Sequence, residues 1–323
     1  MDLPLGIHNT MGGPSWDIVT PLDICVDLLI QSGGIEPEFG QKERLVPGYA
    51  LELGGSACIF ASQAAKLGLR VLGLGEVGSD PFGEFALAAL RLAGVDCVSV
   101  RIGKDVQTGI GVAICKDDGD RAILTFLGSI DGARGSDFSQ SVLAGARHVH
   151  VSSYYLMKSL RPALPDILAR ARSLGLSTSL DTNWDPDEKW MGEVEEILPF
   201  IDVLLPNQNE AMALGGSQDL ELAIDRLADI VPTLAVKLGE RGSLVRTRGE
   251  EIRLPARNVR VVDTVGAGDS FDAGFIYGWL NGREPRRCLE IANACGGLST
   301  EAAGGTAAQP TGSRLAEFLG GAP

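Results

Sequence analysis

A chain of 323 residues is long enough to bury a full core and to hold one large α/β domain. Its net charge of −14, from 42 acidic against 28 basic residues, argues against nucleic acid as a partner, since a duplex-binding surface needs the opposite balance. No apolar run approaches the roughly 18 residues of a membrane span, and no basic stretch leads into an apolar core at the start of the chain, so a cytoplasmic location is expected.

In chain order, residues 1–14 read as a loose N-terminal tail and 15–323 as the folded body. Strands are expected at 16–23, 70–73, 146–151, 176–181, 203–205, 233–237 and 242–246. Amphipathic helices are expected between several of them, at 81–93, 161–174 and 220–229. Such alternation specifies an α/β fold, with a mostly parallel central sheet flanked by helices on both faces. Two regions break the pattern. About 27–53 and 106–127 read as strands and loops, including runs at 108–115 and 121–126 around the turn Asp117-Asp118-Gly119-Asp120. Strands that leave the main sheet and return would make a small flap over one edge, although an antiparallel edge of the main sheet fits the same residues.

Several features carry little chemistry. The six cysteines form no Cys-x-x-Cys pair and sit mostly in apolar runs, as buried free thiols do. His148 and His150 alternate within one strand-like run and so share a face; two ligands without a third make a poor metal site, and a structural or pocket-wall role suits them better. Gly73-Leu74-Gly75-Glu76-Val77-Gly78 is a literal Gly-x-Gly-x-x-Gly after the strand ending at Gly73. However, Ser79-Asp80-Pro81 reads as a helix cap beyond the third glycine, which is the wrong place for a dinucleotide site.

The most informative segment runs from Val262 to Leu280. A strand-like run at 258–262 stops at Asp263-Thr264; Gly266-Ala267-Gly268 follows, and Asp269 opens a helix. Glycines turn amides inward and a helix start adds unpaired donors, which together make an anion cradle with an acid at its lip. Phosphoryl transfer to a hydroxyl needs that combination, but a tight strand-to-helix turn fits the local physics equally well.

The pattern Asp263-Thr264-x-Gly266-Ala267-Gly268-Asp269 resembles the signature of the ribokinase-like (PfkB) carbohydrate kinases. The resemblance implies a ribokinase-like fold with a small β-sheet lid supplied by about 27–53 and 106–127. It also implies that Asp269 is the catalytic base and that the Gly266, Ala267 and Gly268 amides form the anion hole. Gly54-Gly55-Ser56-Ala57-Cys58-Ile59 fits the frame of the family's first signature, with Ile59 where the family usually has a substrate-contacting Asn. Asp23 and Asp27 flank Ile24-Cys25-Val26 near the end of the first expected strand, and Asp27 best matches the family's sugar-binding Asp. Asn207 and Glu210 resemble the Asn-x-x-Glu motif that helps place Mg²⁺ through water. Asn183, in Asp181-Thr182-Asn183, resembles a segment beside the phosphates; Lys237, Gly239 and Gly242 resemble the nucleotide loop, and Asn293 a position in the adenine pocket.

The activity implied by the resemblance is ATP-dependent phosphorylation of a hydroxyl on a sugar or sugar-like molecule, with Mg²⁺ and with a monovalent cation such as K⁺ as a further option. A homodimer joined through the lid is compatible with it. Two alternatives stay open: a nucleoside kinase on the same fold, to which the apolar Ile59 lends weight, and a catalytically idle sugar-binding regulator. One tension is expected at Asp269, because a helix N-terminus lowers an Asp pKa and weakens it as a base.

Overall fold

The computed structural model describes residues 14–116 and 121–321. The expected tail, apart from Pro14, and the turn at 117–120 lie outside the described residues. Among those described, the main sheet has nine strands. Its parallel part comprises β1 (Ile18–Pro21), β4 (Val71–Gly78), β5 (Val100–Gly103), β8 (His148–Val151), β9 (Ser177–Leu180), β10 (Val203–Leu204) and β11 (Thr233–Lys237). An antiparallel margin is added by β12 (Ser243–Thr247) and β13 (Glu251–Leu254). Spatial order is β13-β12-β11-β10-β9-β8-β1-β4-β5.

Helices cover both faces. One group is α1 (Ser56–Lys66), α2 (Pro81–Ala93), α7 (Ala267–Leu280), α8 (Pro285–Ser299) and α9 (Gly312–Leu319), packed on one another. The other is α3 (Gln140–Ala144) with α4 (Leu164–Ser173), and α5 (Gln208–Leu214) with α6 (Leu220–Ala228). The central strands are buried from both sides, which is why they read as short apolar runs rather than as alternating ones. Two strands are exceptions, β9 with Ser-Thr-Ser-Leu and, beside it, β8 with two histidines. Its two imidazoles are fully buried, and hydroxyls satisfy all four ring nitrogens: Ser177 and Ser179 on His148, Ser179 and Ser152 on His150, each at 2.7 Å. Burial lowers the pKa of both, His148 to about 3, so the pair is neutral and structural.

The two irregular regions form a separate sheet in the order β3-β2-β6-β7, from β2 (Cys25–Gln31), β3 (Gly48–Gly54), β6 (Gly109–Cys115) and β7 (Arg121–Phe126). Its outer pairs are antiparallel and its central pair, β2 with β6, is parallel.

Two expectations fail. The run 258–262 is not a strand: β13 ends at Leu254, Pro255 interrupts the ladder, and the segment beyond lies off the sheet edge, tied by Val262 and Asp263 amides to the Thr300 carbonyl. Its β-branched valines had suggested pairing that no neighbour supplies. The strand expected to end at Gly73 runs on to Gly78, so the three glycines of the literal Gly-x-Gly-x-x-Gly sit inside β4 and not in a loop. Helix α2 starts only at Pro81, with Asp80 accepting the Gly83 amide as its cap.

Candidate active site

Five strands of the parallel sheet deliver polar residues past their carboxyl ends, the usual place for a site in such a sheet. Asp23 follows β1, Ser153 follows β8, Asp181 and Asn183 follow β9, Asn207 and Glu210 follow β10, and Lys237 closes β11. Helix α7 then brings in Asp269 from the other side.

Asp23 caps α1 in place of a side chain from Gly55. Its carboxylate accepts the Ser56 amide at 2.9 Å and the Ala57 amide at 3.0 Å, and the Ser153 hydroxyl. Gly55 is required there: φ is +91°, and a Cβ would stand 2.2 Å from the Asp23 carbonyl oxygen. Burial raises Asp23 to about 6 despite these donors. Asp27 instead sits in β2 of the small sheet, where Gly54 and Gly111 leave room for its carboxylate; a Cβ on either would come within 2.7 Å of it. Asn183 has φ +55° and links three elements, donating to the Ser56 hydroxyl at 2.9 Å and accepting the Ser153 amide at 2.7 Å.

The charged centre lies between α7 and the strand ends. Lys237 Nζ donates to Asp181 at 2.7 Å and to both Asp272 oxygens at 3.0 and 3.1 Å. Burial disfavours the ammonium, but the Asp181, Asp272 and Glu210 carboxylates outweigh it and raise the Lys237 pKa. Glu210 forms a capping box with Asn207, whose amide donates to Glu210 Oε2 at 2.8 Å while its Oδ1 accepts the Glu210 amide at 3.0 Å. Burial first and Asp181 second push the Glu210 carboxyl up to about 7.

Asp269 is 8% exposed. Burial, then the Asp181 and Asp23 charges, raise its pKa well above the ordinary range, against the pull of Lys237. The expected weakening by the helix N-terminus is therefore overridden, because desolvation and two nearby carboxylates outweigh a half-charge at a helix end. Gly266 caps α7 at φ +70°, where a Cβ would stand 2.8 Å from Gly305 Cα and 2.9 Å from Ile59 Cγ2. The Ala267 amide makes a long 3.3 Å bond back to the Thr264 carbonyl, and Gly268 lies against the Lys237 ammonium. Ile59, 4% exposed, wedges under Gly266 and Gly305.

Two cavities meet at this point. The first, of about 620 Å³, opens between the small sheet and the strand ends and holds Asp27, Gly55, Ile59, Asn183, Glu210 and Asp269. The second, of about 480 Å³, holds Lys237, Gly239, Gly242, Gly268, Asn293 and part of the segment 256–261. Thr264 lines both. Asn183 thus lies on the first cavity and not with the nucleotide-loop residues. Asn293 is held in the second wall by the Ser243 hydroxyl at 2.8 Å.

The pfkB family carbohydrate kinase model matches residues 21–312. The chain belongs to that family. It is a phosphotransferase with an alcohol group as acceptor, a sugar kinase. Among its relatives, the ATP-dependent ribose-1-phosphate kinase of Halopiger xanaduensis is 35% identical over 267 residues, which is 82% of this chain and 86% of that protein. The Arabidopsis thaliana ribokinase complexed with ribose and ATP superimposes with a TM-score of 0.82 at 23% identity, covering 95% of this chain and 99% of its own. The Vibrio cholerae fructokinase bound to fructose, ADP and calcium gives 0.80 at 27% identity, covering 94% and 99%.

Within this pfkB kinase, the sequence singled out Asp269 and Gly266–Gly268 but not Asp272, and named Asp181 only as a neighbour of Asn183. Asp272 left one trace, its spacing of three from Asp269, which places both carboxylates on one side of α7.

Proposed function

We propose that this kinase moves the γ-phosphate of ATP to a hydroxyl of a sugar or sugar-like acceptor held in the first cavity, with the nucleotide in the second. The observation that carries the reading is the junction itself. Asp269 lines the first cavity and the adjacent Gly268 the second, both in the first turn of α7, and Thr264 is shared. A phosphoryl group passing between the cavities crosses the α7 N-terminus, where amides and the Lys237 ammonium meet developing negative charge.

Asp269 accepts the proton of the attacking hydroxyl as the bond to ADP breaks. Its raised pKa makes it a stronger base than an ordinary carboxylate. The Gly266, Ala267 and Gly268 amides act as the anion hole, and Asp27, with Gly54 and Gly55 beside it, takes acceptor hydroxyls. Gly239, Gly242 and Asn293 line the nucleotide, while Lys237 serves the phosphates from its place between Asp181 and Asp272.

Among the described residues no cluster of three or more His, Cys, Asp or Glu could hold a metal by protein ligands alone. The oxygen donors still fit Mg²⁺, which keeps much of its water and needs only one or two carboxylates plus phosphate oxygens. Burial first and the Asp181 charge second raise Glu210 to about 7, and a divalent cation beside it would favour the ionised carboxylate. Glu210 and Asp181, with Asn207 through water, would hold the ion. When bound, Mg²⁺ neutralises phosphate charge.

The test is Mg²⁺- and ATP-dependent ADP release over ketoses, aldoses, sugar acids, polyols and nucleosides, with Asp269→Asn as control. Stimulation by one acceptor, abolished in the variant, supports the reading. ATP binding and acceptor binding without ADP release would favour the idle regulator instead.

A further inference from the structure

We infer that Ser56 is a positioning residue for the proposed base: a closed ring of hydrogen bonds through Asp23, Ser153 and Asn183 directs its hydroxyl proton to the Asp269 carboxylate. This rests on the reading of Asp269 as the base.

Four separate segments meet in the ring. Asp23, after β1, accepts the Ser56 amide at 2.9 Å and also the Ser153 hydroxyl. The Ser153 amide donates to Asn183 Oδ1 at 2.7 Å, and Asn183 Nδ2 donates to Ser56 Oγ at 2.9 Å, which closes the circuit. All four residues line the first cavity. Ser153 and Asn183 have φ of +52° and +55°, a left-handed region that serine seldom occupies. The ring therefore holds two strained backbone positions at the cavity, and that strain persists only where the surroundings fix it.

The direction of each bond is forced. A backbone amide only donates, so the Ser153 N–H decides which end of the Asn183 side chain faces it. The other end, Nδ2, also only donates, so Ser56 Oγ is the acceptor of that bond. Ser56 then has one proton left to give. Asp269 lines the same cavity and takes it: the Ser56 hydroxyl is its side-chain hydrogen-bond partner, and it partly offsets the upward push of burial on the Asp269 pKa. The two helix starts lie side by side, since a Cβ on Gly266, the cap of α7, would stand 2.9 Å from Ile59 in the first turn of α1. A donor held on the carboxylate fixes its rotation and leaves other lone pairs for the acceptor hydroxyl.

The test uses the full-length enzyme with Mg²⁺, ATP and whichever of ribose, fructose or adenosine gives the fastest ADP release. Ser56→Ala is expected to lower kcat by about 10–100-fold, with KM changed less than about three-fold. Ser56→Thr keeps the hydroxyl and should restore most of the loss. Asn183→Gly keeps the left-handed backbone and removes the amide. It should lower kcat similarly, and the double variant Ser56→Ala/Asn183→Gly should fall little further than Ser56→Ala, because both break one chain. An unchanged kcat in Ser56→Ala, or losses that multiply in the double variant, overturns the inference and leaves Asp269 as the base.

A second measurement does not depend on turnover. Denaturant unfolding is compared for Ser56→Ala, Asp269→Ala and their double variant, where the lost Asn183 partner is common to both backgrounds and cancels. Ser56→Ala is expected to lower the folding constant about ten-fold more when Asp269 is present than when it is Ala. Additive losses overturn the hydrogen bond. Coupling without ADP release from any of the three acceptors upholds the Ser56–Asp269 contact while the base reading fails.

Discussion

Lys237 Nζ stands 3.0 Å from Asp272 Oδ2, one helical turn along α7 from Asp269, so the lysine at the end of β11 fixes the helix that carries the proposed base. The Lys237 side chain is 12% exposed and that of Asp272 only 1%. In such a setting the lone-partner state is the costly one, because a buried charge left without its mate keeps its full desolvation penalty.

Lys237→Met is accordingly expected to lower unfolding free energy by about 3–5 kcal/mol. Adding Asp272→Asn should return part of it, since one of two stranded carboxylates is then neutral. Denaturant unfolding of the single and double variants measures both terms. A loss below about 1 kcal/mol in the single variant would mean that the ion pair does not secure α7.

Asp269→Asn keeps the shape of the side chain and removes its basicity. Turnover is expected to fall about 10²–10⁴-fold, with the thermal midpoint little changed or raised, because a buried carboxylate is replaced by an amide. Steady-state ADP release with a confirmed acceptor checks this, and near-normal turnover would sink the role.

Glu210 gives a pH signature of defined sign. Its folded pKa of about 7 lies above the ordinary 4.5, so between those values the folded state binds more protons than the unfolded one. Stability therefore falls as pH rises through this window and levels off above about 7. In Glu210→Gln that component should vanish, and the variant should gain on the wild type from pH 5 to pH 8 in the absence of Mg²⁺ and nucleotide. Parallel melting curves across that range would contradict the raised pKa.

Gly266 and Ile59 act on one loop from opposite sides. Gly266→Ala combines strain at φ +70° with a Cβ placed 2.8 Å from Gly305 Cα, so the amides of the cradle must move. Turnover is expected to drop more than about 100-fold for a stability loss of only about 1–3 kcal/mol. Ile59→Ala empties the space under the same loop and should cost about 2–4 kcal/mol in stability. Its kinetic effect should appear in kcat rather than KM if backing Gly266 is the main task of Ile59. A change confined to KM would return Ile59 to the acceptor wall alone.

Much of this kinase was legible locally. The glycine loop, the acid opening α7, the Asn207–Glu210 cap and the strand–helix alternation are each set by a few neighbouring residues, and glycine geometry, capping and periodicity act over that range. The same locality misled at 258–262, where β-branched residues signal a strand only if a neighbour offers its ladder, and at β4, where the glycines made the strand read as ending at Gly73.

Tertiary structure decided what depends on distance and on water. The sequence alone determined that Asp269 begins a helix and that the local dipole should lower its pKa. Only folding brought Asp181 and Asp23 near it and removed solvent, and those two effects reversed the sign. Likewise Asp272, 35 residues from Lys237, became its partner only when α7 closed over the strand ends. Charge placement, burial and the meeting of two cavities are properties of residues far apart in the chain, and no local pattern encodes them.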